Sequence, residues 1–173
     1  DIATQVSQVE NMISTGSKVL VIASIDGSAL KSVLAQAKAK KIPVIAYDRL
    51  IMNSDAVTYY ATFDNYKVGT IQGNFLVDQL KLKTRTAADP AYIELFTGSP
   101  DDNNINFFFG GAMDVLTPYI DKGVLVVKSG QTSKAQCATL NWSTEEAQKR
   151  MENLIASQGY GPNKQRLDAV YSS

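Results

Sequence analysis

The chain has 173 residues with 45% hydrophobic content, which is enough for a core of ordinary size, and its 17 Lys and Arg balance 17 Asp and Glu. Zero net charge leaves no field to hold nucleic acid or an anionic membrane, and no apolar run approaches the roughly 20 residues that cross a bilayer. Histidine is absent, which removes the usual general base near neutral pH and the commonest transition-metal ligand; this argues against an enzyme and against a metal site, although carboxylate chemistry stays open.

From the N-terminus, Asp1 to Gln5 show no basic segment followed by an apolar one, as expected of a mature or trimmed chain. Residues 5–15 carry Val6, Val9, Met12 and Ile13 at helical spacing, with Gly16 after them, and read as a helix closed by a glycine. Residues 18–24 are a continuous apolar run of strand length, expected to be a parallel strand buried on both faces. Asp26-Gly27-Ser28 predicts a loop and a helix cap, and Leu30, Val33, Leu34 and Ala37 predict a helix to about Lys40. The next buried strand spans residues 43–48. An irregular stretch follows to Asp55, then a polar-rich strand over residues 57–63, which reads equally as an edge strand or as a crossover between two lobes.

Helices are expected over residues 66–80, 104–120 and 143–156, and strands over 92–96, 124–128 and 167–171. Strands alternating with helices of this length specify βαβ crossovers and parallel sheets covered by helices, so the fold class is α/β. The pattern opens inside a helix and stops on a strand, whereas a doubly wound unit is expected to begin and end more completely; flanking sequence is therefore expected. Cys137 is the single cysteine; it can form no internal disulfide and reads as a small buried residue rather than a nucleophile.

Three motifs fall directly after strands, where open α/β sheets bind their ligands. In Tyr47-Asp48-Arg49, the carboxylate and the rigid guanidinium fork of Asp48 and Arg49 suit vicinal hydroxyls; a local surface ion pair is the alternative. In Gly98-Ser99-Pro100-Asp101-Asp102-Asn103-Asn104, four acid and amide side chains exceed what capping one helix needs, and point to a polyhydroxylated ligand. Calcium is a weaker reading, since no twelve-residue loop with its glycine and final glutamate follows. Trp142, the only tryptophan, offers an apolar face suited to the C–H face of a pyranose; ordinary packing is the competing reading. Asn65 in Phe63-Asp64-Asn65 is expected to cap the following helix, and Phe107-Phe108-Phe109 to pack. No glycine-rich phosphate loop occurs, so nucleotide binding has no support.

These segments together resemble the sugar-binding proteins of bacterial ABC importers with the type I periplasmic-binding fold, in the xylose and multiple-monosaccharide branch. The resemblance is carried by residues 18–27, by Val44-Ile45-Ala46-Tyr47-Asp48-Arg49-Leu50-Ile51, and by Tyr59-Tyr60-Ala61-Thr62-Phe63-Asp64-Asn65. It continues through residues 93–96, 98–104, 125–131 and 147–151. It implies a two-lobed, periplasmic-binding-protein-like fold with parallel sheets flanked by helices, present as an incomplete fragment: residues 1–61 a partial first lobe lacking its first strand, residues 62–173 a partial second lobe.

The resemblance further implies reversible capture of a monosaccharide of the glucose, galactose, xylose or arabinose type between the lobes, with hinge closure and no catalysis. Arg49 with Asp48 beside it, Asp102, Asn104 and Trp142 would contact the sugar. No cofactor and no metal are implied. The partners would be the membrane permease of the importer and, for signalling, a membrane sensor or chemoreceptor, with no nucleic acid. The location would be the periplasm, or the outer face of a Gram-positive cell as a lipoprotein. Two local departures stand out: Ile105 where the family usually has alanine, which would reshape the pocket wall, and Gly110 where a polar residue is common. A sugar-responsive transcription regulator shares this core but needs a DNA-binding headpiece, for which no basic segment is seen. A doubly wound enzyme is disfavoured by the missing histidine and phosphate loop.

Overall fold

The structure is a computed structural model describing residues 1–173. Its contacts divide the chain into two compact units: residues 1–63 together with 101–104, and residues 64–100 together with 105–173.

The first unit opens with α1 (Ile2–Ser14), whose N-terminus is capped by the Asp1 carboxylate accepting from the Thr4 N–H at 2.7 Å. The helix closes as its sequence predicts. Gly16 takes φ +88°, and the Gly16 and Ser17 N–H groups donate back to the carbonyls of Ile13 and Met12. Then follow β1 (Leu20–Ile22), α2 (Lys31–Ala39), β2 (Val44–Tyr47) and β3 (Val57–Ala61). The three strands form a parallel sheet in the order β1-β2-β3. Residues 57–61 are thus an edge strand of this sheet.

Two expectations for this unit need correction. The 18–24 segment is not buried on both faces: Leu20 and Ile22 are buried, but Val21 is 59% exposed. Its neighbours across the sheet, Ile45 and Tyr59, share that open face, and Tyr59 is 65% exposed. Both helices pack on the other face, where Val9 and Ile13 of α1 and Val33, Leu34 and Ala37 of α2 meet Leu20, Ile22, Val44 and Ala46. An apolar run shows that a strand forms, but not how many of its faces the chain covers. The second correction is at α2, which has no side-chain cap; Leu30 holds the N-cap position, and Asp26 instead accepts from the Ser28 N–H within its own loop.

The second unit contains α3 (Asn65–Gln79), β4 (Ala91–Phe96), α4 (Asn104–Asp121, all but its first residue), β5 (Leu125–Val127), α5 (Lys134–Cys137), a 3₁₀ turn (Leu140–Trp142), α6 (Thr144–Gln158) and β6 (Ala169–Ser172). Its parallel sheet has the order β5-β4-β6. The cap of α3 is Asp64, whose carboxylate accepts from the Lys67 N–H, rather than Asn65, which is the first helical residue. Asp and Asn cap equally well, and the sequence does not distinguish which of two adjacent ones leaves the helical conformation.

Central strand β4 is covered on both faces. Ile93 and Leu95 join a core with Leu76 and Val77 of α3 and Phe109, Ala112 and Leu116 of α4. The two helices approach closely because of their glycines: a Cβ on Gly69 would lie 2.1 Å from the Phe108 carbonyl oxygen, and one on Gly111 would lie 2.3 Å from that of Tyr66. On the other face, the fully buried Glu94 carboxylate accepts from the Ser129 hydroxyl at 2.5 Å, the Ser129 N–H at 3.1 Å and the Tyr160 hydroxyl at 2.5 Å. Arg150 of α6 stacks 4.1 Å over the Phe96 ring and donates to the Leu95 carbonyl and to Gln131. Each buried polar group here has its partners, as burial in a low-dielectric interior requires.

Candidate functional site

At the carboxyl end of β2 the backbone turns sharply. Asp48 adopts φ +61°, and the Arg49 N–H donates to the Tyr47 carbonyl at 2.7 Å. An Asp tolerates this left-handed conformation better than most side chains. The Arg49 guanidinium then donates through Nη1 to the Ile25 carbonyl at 2.6 Å, and its Nε lies 3.0 Å from Oδ2 of Asp102. The carboxylate partner of Arg49 is therefore Asp102, not its sequence neighbour Asp48, whose side chain is exposed. Asp102 is 4% exposed and the Arg49 side chain 24%. This is a largely buried charge pair, unlike the surface pair that the local sequence offers as an alternative.

Asp102 also accepts from the Asn104 N–H at 2.9 Å through its other oxygen. The Asn104 amide N–H donates to the Asp48 carbonyl at 3.1 Å, and the single Tyr60 O–H is shared between the Asp48 carbonyl at 2.9 Å and the Asn104 amide oxygen at 3.2 Å. Asp48, Arg49, Asp102 and Asn104 thus form one connected network in the first unit, in which Asp48 takes part through its main chain. Two of the fork's nitrogens are engaged by protein; Nη2 makes no bond to protein and remains a donor. Next to Asp48, a cavity of about 510 Å³ is lined by Tyr47, Asp48, Ala61, Thr62 and Phe63.

Sequence reasoning did not single out Tyr60 or Thr62, and it weighed Phe63 only within Phe63-Asp64-Asn65, where helix capping was the favoured reading. Their signal was their position at the carboxyl end of a strand, inside a segment that carries the resemblance. Trp142 lies in the second unit, on the 3₁₀ turn between α5 and α6. It is half-buried, with both Asn141 and Trp142 in the left-handed region at φ +55° and +53°. Its indole lies against Gly98 at the exit of β4. Ile105 is 2% exposed, and Gly110 has open space where a side chain would start. No cluster of three or more Cys, Asp or Glu is disposed to hold a metal ion.

The family described as periplasmic binding protein domain matches the chain over residues 1–173. The chain belongs to this family. It is 55% identical over 172 residues to the multiple sugar-binding periplasmic protein SbpA of Azospirillum brasilense, covering 99% of this chain and 47% of that protein. To the multiple sugar-binding periplasmic receptor ChvE of Rhizobium radiobacter it is 59% identical over 157 residues, 91% of this chain and 44% of the relative. The crystal structure of an ABC transporter solute-binding protein from Clostridium phytofermentans with bound β-D-glucose superposes with a TM-score of 0.93 and 62% identity, over 99% of this chain and 52% of that one. The chain spans about half the length of the curated relatives it matches. The fold class expected from the strand and helix pattern, α/β with parallel sheets and flanking helices, is the fold of the periplasmic binding proteins.

Proposed function

We propose that the protein is the solute-binding component of an ABC sugar importer, that it captures a monosaccharide reversibly, and that it performs no chemistry on the sugar. The observation that carries this reading is the buried Arg49–Asp102 pair at the carboxyl end of β2, with Nη2 of the fork left as a donor, next in sequence to Asp48, which lines a cavity with Tyr47 and Phe63. A guanidinium held by a carboxylate and a carbonyl presents its remaining N–H groups in a fixed direction, which suits sugar hydroxyls and disfavours an epimer that leaves them unpaired. The multiple-sugar relatives and the glucose-bound solute-binding protein support monosaccharides as the ligand class.

Asp48, Arg49, Asp102, Asn104 and Trp142 are the proposed ligand-binding residues, Asp102 chiefly by fixing Arg49. The full protein would act in the periplasm or at the outer cell face. Sugar would close its two lobes, the first unit being part of one and the second unit part of the other, and the closed form would dock on the importer's permease or on a membrane sensor.

The test is calorimetric titration of the full-length protein with glucose, galactose, xylose, arabinose and ribose, beside an Arg49→Ala variant and an assay for any product. Losing hydrogen bonds from a charged donor to the ligand costs about 1.5–3 kcal/mol, so Arg49→Ala is expected to weaken binding by roughly tenfold or more. No binding by the full-length protein, or turnover of a sugar, overturns the proposal.

A further inference from the structure

Gly98 follows β4 and is buried, and its φ is not positive, so its backbone does not need a glycine. Its missing side chain is needed for another reason. A Cβ there would lie 2.1 Å from both Cη2 and Cζ2 of Trp142 and 2.4 Å from Cε2. These atoms belong to a rigid ring, which cannot yield as the end of a flexible chain would. The indole therefore lies flat over the Gly98 main chain in a place that any other residue would fill.

The loop bearing Trp142 is held there against several costs. Two consecutive non-glycine residues, Asn141 and Trp142, occupy the left-handed region, and the indole Nε1 is buried with no hydrogen-bond partner. Each such feature is unfavourable and persists only where the surroundings impose it. Two bonds from the β4 exit do so: the Asn141 N–H donates to the Ser99 hydroxyl at 2.9 Å, and the Thr139 N–H to the Gly98 carbonyl at 3.1 Å. Ser99 is itself 2% exposed. A tryptophan needed only to fill the core would be placed without two left-handed residues and an orphaned donor.

We infer that Gly98 is a positioning residue for the sugar site, setting the plane of the Trp142 indole, with Ser99 clamping the turn that carries it. This rests on the reading of Trp142 as a ligand group. The test uses the full-length protein in wild-type, Gly98→Ala, Ser99→Ala, Trp142→Ala, Trp142→Phe and Gly98→Ala/Trp142→Ala forms. The signal of Trp142 is isolated by subtracting the emission of the Trp142→Phe protein, and sugar affinity is measured by calorimetry.

Gly98→Ala is expected to shift the Trp142 emission and to weaken sugar binding about tenfold, while the double variant binds no more weakly than Trp142→Ala alone. Unchanged emission, or a loss that adds fully to that of Trp142→Ala, overturns the inference. If Gly98→Ala does not fold, Ser99→Ala decides by the same two readouts, with a smaller loss of about threefold expected. A shifted emission in Gly98→Ala with full affinity in Trp142→Ala supports the seat and overturns the proposed contact of Trp142 with sugar.

Discussion

Cys137 is fully buried, and its thiol donates to the Gln131 carbonyl at 3.2 Å. Burial pushes its pKa up from 9.0 to about 11. In the unfolded chain the thiol ionises near 9, whereas in the folded chain it stays protonated until about 11. The unfolded state therefore binds fewer protons across this interval, and stability must fall as pH rises through it. Urea unfolding between pH 8 and 11 is expected to show that decline, and a Cys137→Ala variant to show a shallower one over the same range. Tyr160 acts in the same direction at higher pH, since burial and its hydrogen bond to Glu94 both raise its pKa above 10.0. Sequence alone reads Cys137 as a small buried residue, and so it is. Its surroundings come from residues 94, 131 and 150, which no local pattern connects to it.

The elements that formed as expected are those whose signals are local. Gly16 closes α1, and Ser143 caps α6 by accepting from the Glu146 N–H at 3.3 Å, with Glu145 and Glu146 in the first turn, where they complement the helix dipole. The short α5 and the 3₁₀ turn were not anticipated, because elements of four and three residues carry no periodicity. The α3–α4 contact is likewise invisible to pattern reading. Helical periodicity places Gly69 and Gly111 on their helices but does not reveal that each faces a carbonyl of the other. Gly69→Ala is expected to destabilise the second unit by about 1–3 kcal/mol or more, since the added methyl meets backbone and the helices must separate. Thermal unfolding followed by circular dichroism measures this; an unchanged midpoint would mean that the contact yields at no cost.

Within residues 1–173, helices cover one face of the first unit's sheet, and on the other face Val21, Tyr47 and Tyr59 are 59%, 57% and 65% exposed. An apolar face of this kind is expected to bind hydrophobic dyes. The 173-residue chain should therefore enhance the fluorescence of 1-anilinonaphthalene-8-sulfonate, and Val21→Lys with Tyr59→Lys should abolish most of the enhancement; no enhancement in the unaltered chain would mean that the face is covered in solution. The α/β class, the parallel connections and the placement of two motifs at strand ends were legible in the sequence, because alternating strand and helix periodicities and cap residues act over fewer than about twenty residues, whereas the third motif, with Trp142, follows the short α5 rather than a strand. The sequence also placed Arg49, Asp102 and Asn104 among the polar residues of interest. That Arg49 pairs with Asp102 across 53 positions rather than with Asp48, that Tyr60 joins their network, and that the Trp142 indole lies against Gly98 is set by the folded chain. Those relations depend on which strand ends and loops the fold brings together, and a packing contact between distant residues leaves no periodic trace in a single sequence.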